Sequence, residues 1–147
     1  MRRKILSIFN LQMPLVVMLL YTASCTHNDG DIGDLYGRWQ LTEMHVGDSV
    51  ARPNDIFFSF QSSVVFTSYC HYDIHEAQDF RGIYRREADS MLISYYTDTT
   101  YADKVQEFMT TRLGIADYTD VRLRVVALDD DRLRLSNDGI DWTFRHF

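Results

Sequence analysis

DVRLRVVAL (residues 120–128), RLRLS (132–136) and IDWTFRHF (140–147) close the chain, and their reading decides the fold. Each run alternates apolar with polar or charged residues, the period-two pattern of a strand with one buried face. Asp129-Asp130-Asp131 and Asn137-Asp138-Gly139 separate them. The second separator is a strong hairpin signal, because Asn, Asp and Gly tolerate the positive φ angles of a tight turn between twisted strands. These runs predict consecutive antiparallel strands joined by short turns.

The same pattern continues upstream. Arg38 to His45 alternates with Trp39 and Leu41 on one face. Glu43 falls on that face by count, so it is either an inward carboxylate needing a partner or a strand-end group in water. Gly47-Asp48 and Arg52-Pro53-Asn54-Asp55 are turn chemistry. Ile56–Phe60 and Val64–His71 are rich in aromatic and β-branched residues. Asp79–Arg86 and Met91–Thr97 form a hairpin that turns near Glu87-Ala88-Asp89-Ser90. Only Tyr101–Ile115 breaks the rhythm. There Val105, Phe108, Met109 and Leu113 share a helical face, Asp103 suits the positive end of the helix dipole, and Gly114 marks the stop. The stripe reads as a packing face. The chain is therefore all-β, with about eight antiparallel strands and one amphipathic helix. An up-and-down barrel would remove the exposed edges of such a sheet. A two-sheet sandwich uses the same pattern, and periodicity does not separate the two.

At the other end, Arg2, Arg3 and Lys4 precede an apolar run, Met13–Leu20, and then the small residues Thr22-Ala23-Ser24 before Cys25. This is the layout of an export signal, and its apolar run is too short to span a bilayer. The placement of Cys25 resembles the lipobox of bacterial lipoproteins, with Thr22 where that family usually has leucine. The resemblance implies a signal peptide over 1–24, lipidation of Cys25, and a protein exported and held by acyl chains at a bacterial membrane, the outer one expected. Residues 25–34 read as a flexible tether, and 35–147 as the folded domain. The acidic Thr26–Asp34 stretch also resembles surface-export signals of Bacteroidetes lipoproteins; a solvated linker has the same composition.

The formal charge is −6, and it is more negative once the basic leader is set aside. That balance argues against nucleic acid, whose binding displaces counterions with clustered cations, and against a polybasic hold on an anionic membrane. With Cys25 lipidated, Cys70 has no intramolecular partner and reads as a small buried strand residue.

Gly37-Arg38-Trp39 at the first strand resembles the Gly-x-Trp signature of lipocalins. Gly82-Ile83-Tyr84, Met91-Leu92-Ile93-Ser94-Tyr95 and Leu128–Leu135, followed by a Trp-Thr-Phe-Arg ending, resemble lipocalin-like lipoproteins of Bacteroidetes. The resemblance covers roughly 35–147 and implies the barrel. It also implies that Trp39 closes the barrel floor with Arg145 over its ring as a cation–π partner. Gly37, Trp39 and Arg145 would then be structural.

Cys70-His71-Tyr72-Asp73-Ile74-His75-Glu76, with Asp79 behind it, gathers every common metal-ligand type. In an extended segment His71 and His75 would stand about 13 Å apart. Cys70, His71 and His75 are therefore weak metal candidates in what reads as a solvated loop. No Gly-x-Ser-x-Gly elbow and no Gly-rich phosphate loop occurs, so no catalytic residue and no cofactor is expected. Phe58, Phe60, Phe66, Tyr84 and Tyr96 suit a cavity for an amphipathic molecule, and equally a packed barrel. The expected function is a cell-envelope lipoprotein binding a small apolar or amphipathic ligand inside the barrel. The alternative is a solid interaction module that docks an envelope protein or a glycan through Arg81, Arg85, Arg86, Arg122, Arg124, Arg132 and Arg134.

Overall fold

The computed structural model describes residues 33–96 and 101–147. Residues 1–32, with the leader, Cys25 and most of the tether, lie outside the described residues, as does Thr97. The described elements are β1 (Gly37–Val46), β2 (Ser49–Ala51), β3 (Ile56–Gln61), β4 (Val64–His71), β5 (Glu76–Glu87), β6 (Ser90–Tyr95), α1 (Ala102–Leu113), β7 (Val121–Leu128), β8 (Arg132–Asn137) and β9 (Ile140–His146). Strands β1 and β3 to β9 pair antiparallel in chain order, and β1 pairs again with β9, from Trp39 opposite His146 to Val46 opposite Ile140. The sheet thus closes on itself as an eight-stranded barrel, and the sandwich is excluded. Strand β2 was not expected. It has three exposed residues and pairs only with Met44–Val46 beyond the tight turn at Gly47.

The turns follow local chemistry. Asp138 and Gly139 take φ of 46° and 79°, as the hairpin signal requires. The register of β1 contains a surprise. Leu41 faces Phe144 and Glu43 faces Thr143, so Thr42 is an extra residue, a β-bulge whose hydroxyl donates to Thr143 O at 3.0 Å. One extra residue inverts the alternation beyond it. Met44 therefore packs against the core, and Glu43 stands outside with His45 and Arg52.

The inward faces fill the lumen. Trp39, Leu41, Ile56, Phe60, Met91, Ile93, Leu123, Leu133 and Phe144 are each under 2 % exposed. Side chains with so little surface border no solvent-sized void, so the barrel is solid at their level. A polar pair is buried in the lumen, where the Thr67 and Tyr95 hydroxyls share a hydrogen bond of 2.7 Å. Gly82, opposite Tyr95, has no space for a Cβ, which would lie 2.9 Å from Ser94 O.

The two ends differ. At the floor, Trp39 Nε1 donates to Leu35 O at 2.9 Å, and the Tyr84 ring meets Phe60 edge-on. The lid on Trp39 is His146, edge-to-face at 4.8 Å, and not Arg145. Alternation explains this correction. Phe144 and His146 share the inward parity, while Arg145 points outward and donates to Gln40 Oε1 at 2.8 Å. Gly37 makes the lid possible. Its φ is 125°, and a Cβ there would sit 2.4 Å from His146 Nε2.

The opposite end carries the β1–β2, β4–β5 and β8–β9 turns and α1. The helix buries Val105, Phe108, Met109 and Leu113, as its stripe predicts, and ends at Gly114 in the left-handed conformation (φ 71°).

Candidate ligand site at the barrel mouth

Of the five aromatic positions expected to line a cavity, Phe58, Phe60 and Tyr84 meet ring to ring, and Phe66 and Tyr96 lie apart from them. Phe58 and Phe60 are buried in the lumen, and Tyr84 lies at the floor on Phe60. Phe66 and Tyr96 point outward and flank the Arg81 guanidinium at 6.0 and 5.5 Å. In register Phe66 faces Arg81 directly, while its neighbours Val65 and Thr67 are the inward residues. The ligand space expected inside the barrel is occupied by side chains.

Open space exists at the mouth. A cleft of about 710 Å³ between the start of β5 and α1 is lined by His71, Gln78, Phe80, Tyr96, Tyr101 and Lys104, among others. A second, of about 360 Å³, shares His71, Gln78 and Lys104 and adds Tyr69, Phe108 and Arg112. The strands supply this base because Tyr69, His71, Phe80, Gln78 and Glu76 are the inward positions of β4 and β5 nearest their hairpin. The helix adds Phe108, whose ring lies 4.8 Å from Phe80 and 5.9 Å from Tyr69. His71 stacks edge-on against Tyr69 at 4.2 Å, and Arg112 hydrogen-bonds the Tyr69 hydroxyl and lies over its ring. The result is an aromatic base beneath a rim of opposed charges: Lys104, Arg81 and Arg112 against Glu76, Asp79 and Glu107. Such a site can desolvate an apolar body while hydrogen-bonding a polar end.

A larger groove, about 1000 Å³, runs along the outer wall over β8, β9 and β1. Its lining is chiefly charged, including Glu43, His45, Arg132, Arg134, Asp141 and Arg145, with the buried Phe144 beneath them. Hydrogen bonds from His45 and Arg52 hold the Glu43 carboxyl below its ordinary range, so that acid is committed to its neighbours. The remaining arginines are dispersed. Arg85 pairs with Glu87, Arg86 with Asp34, and Arg124 with Asp89.

Cys70 and His71 are successive on β4 and so point to opposite faces, while His75 occupies the turn with φ 57°. Among the described residues no three His, Cys, Asp or Glu side chains are placed to share an ion. Inside the barrel, burial raises the phenol pKa of Tyr95 well above its ordinary value, and burial near Asp34 raises that of Tyr84. Neither group lines the mouth clefts. Sequence reading missed Gln78 and Lys104 and took His71 for a possible metal ligand. Only the closed barrel shows which strand ends meet the helix.

A closed eight-stranded antiparallel barrel with a tryptophan floor and one helix across its mouth defines a lipocalin-like protein class. The profile of the Lipocalin-like domain matches residues 18–147, and the chain belongs to that family. A lipocalin-like protein from Bacteroides uniformis is similar over 78 % of this chain and all of its own, with a TM-score of 0.67 and 25 % identity. An uncharacterized protein from Bacteroides eggerthii shares the fold at a TM-score of 0.66 and 22 % identity, over 77 % of this chain and 99 % of its own. No curated protein sequence matches.

Proposed function

We propose that this chain is a cell-envelope lipoprotein, anchored through Cys25, that binds a small amphipathic molecule at the barrel mouth. The observation that carries the reading is the aromatic base of Tyr69, Phe80 and Phe108 beneath His71, Gln78 and Lys104. The apolar part of the ligand would lie on the rings, and its polar group would exchange water for the rim. Membership of the Lipocalin-like domain family supports binding over catalysis.

The export signal and the lipid anchor are supported by the leader sequence, and the outer-membrane location by the acidic Thr26–Asp34 stretch. Exchanging Cys25→Ser is expected to move the protein from membranes to the soluble envelope fraction; persistence in membranes would refute the anchor. The ligand is tested by a native mass spectrum of that variant, purified gently from its own envelope. A discrete added mass that disappears on denaturation is the expected result.

A second reading is a solid barrel that docks an envelope protein or a glycan by its outer wall. The packed lumen and the charged groove beside Arg132, Arg134 and Arg145 favour it. A bare mass, together with no amphiphile binding at the mouth, would move the assignment to this reading.

A further inference from the structure

The cleft of about 710 Å³ is lined by consecutive residues of β5, every one from Glu76 to Arg81. A space on the inner or outer face of a strand touches every second residue. One that touches them all runs along the strand's edge. The pairing shows why. Strand β5 pairs with β4 from Ile83 opposite Val64 to Glu76 opposite His71. On its other side β6 reaches only from Glu87 opposite Ser90 to Gly82 opposite Tyr95, with a last bond from Tyr96 N to Arg81 O at 2.8 Å. From Phe80 back to Glu76, no described strand pairs with β5 on that side.

The open main-chain groups can be named. Tyr84 N donates to Ser63 O, and Arg81 O accepts from Tyr96 N. Even-numbered residues of β5 therefore turn their main-chain groups toward β4, and odd-numbered ones turn theirs away from it. The N–H and C=O of Ala77 and Asp79 thus face the cleft, and both residues are exposed. Tyr101, with Lys104 and Val105 of α1, forms the far side. Donors and acceptors that recur every second residue are matched by another extended backbone, which a hydrocarbon chain does not offer.

Charge says which backbone. The run is closed at Arg81, where Tyr96 is already bonded, and it opens at Glu76 beside the β4–β5 turn. Five residues at about 3.3 Å each span about 17 Å, so the occupant is short. Neither Arg81 nor Glu76 has an ion pair among the described residues, and Asp79 and Lys104 between them carry opposite signs. A carboxylate complements the closed end and an ammonium the open one.

We infer that the cleft takes a short free peptide as an added strand parallel to β5, with its carboxylate at Arg81 and its amino group at Glu76. This rests on the mouth reading above and narrows its amphipathic ligand to a peptide. Alternate side chains meet Phe80 and Val105, and the backbone pairs with Ala77 and Asp79.

The test uses the ¹⁵N-labelled mature protein carrying Cys25→Ser. The probes are the free pentapeptide Val-Thr-Val-Thr-Val, its C-terminal amide, a form N-methylated at the second and third valines, and decanoate as an amphiphile without a backbone. The free peptide is expected to slow hydrogen exchange at the Ala77 and Asp79 amides. Amidation should weaken binding about 5- to 10-fold, and N-methylation, which removes two edge-facing donors, about 10-fold or more. Arg81→Gln, an exposed change, should bring the free peptide down to the level of its amide. The exchange readout is taken on unaltered β5, so it stands even where that variant folds poorly. Ala77 and Asp79 amides that are already protected without peptide would overturn the inference, since the edge is then filled by this chain or a second copy. So would a peptide that binds without protecting them, or equal affinity for acid and amide. Decanoate binding with no peptide binding overturns this inference and leaves the mouth reading intact. If neither binds, both are overturned.

Discussion

At the floor of the barrel Trp39 has a hydrogen-bond acceptor, an edge-on histidine and a glycine that makes room for that histidine. At the mouth Tyr69, Phe80 and Phe108 border open clefts, and Tyr72, Ile74, Tyr96 and Tyr101 are exposed to solvent. The same sheet builds both ends, so the contrast arises from side-chain choice and not from topology. Floor contacts are complete within the chain, and completeness of that kind serves stability. Mouth contacts are left open to solvent, and an open surface adds less to stability than a sealed one.

The sharpest way to break this contrast is Trp39→Ala. It should cost about 3–5 kcal/mol in urea unfolding, the range for a large buried aromatic whose site cannot collapse. A loss below about 1 kcal/mol would mean that the floor is not the keystone. Tyr95→Phe probes the lumen between the ends. It leaves the Thr67 hydroxyl buried without its partner and should cost about 1–2 kcal/mol. The pH dependence has a definite sign. The unfolded phenol ionises near its ordinary value of 10.0, while the buried one resists ionisation. The stability due to Tyr95 is therefore complete below pH 10.0 and declines as pH rises beyond it toward the raised folded value. Urea midpoints measured across that range should fall less steeply in the variant; equal slopes would show that Tyr95 is not protected. The smallest stability effect belongs to the rim. Lys104→Ala should change stability by no more than about 0.5 kcal/mol while lowering decanoate affinity several-fold. A large stability loss with unchanged affinity would make the mouth as structural as the floor.

Particular residues show how far the sequence can be read. The strands and α1 were legible because alternation, Asn137-Asp138-Gly139 and Gly114 are local signals whose physics acts within a few residues. Strand β2 was not, since three exposed residues carry no hydrophobic pattern. Glu43 was ambiguous because the Thr42 bulge shifts parity without changing composition. Phe66 and Tyr96 were placed inside because Val64-Val65-Phe66 and Tyr95-Tyr96 are apolar on both faces, where alternation gives no direction. His146 was within reach, since counting in twos from Trp142 leads to it and passes over Arg145. The mouth was beyond local reading altogether, because His71, Gln78 and Lys104 meet only after the barrel has closed.

The seam between β1 and β9 also governs how the protein comes to exist. Trp39 sits opposite His146, so the contact that closes the wall joins nearly the two extremes of the domain. Pairings this distant in sequence form late and slowly, since a long loop must be ordered before they contribute. Until residues 140–146 are available, β1 and β8 each present an open edge able to recruit a stray strand. Residues 140–146 therefore decide whether the wall is sealed or keeps two edges open to another strand.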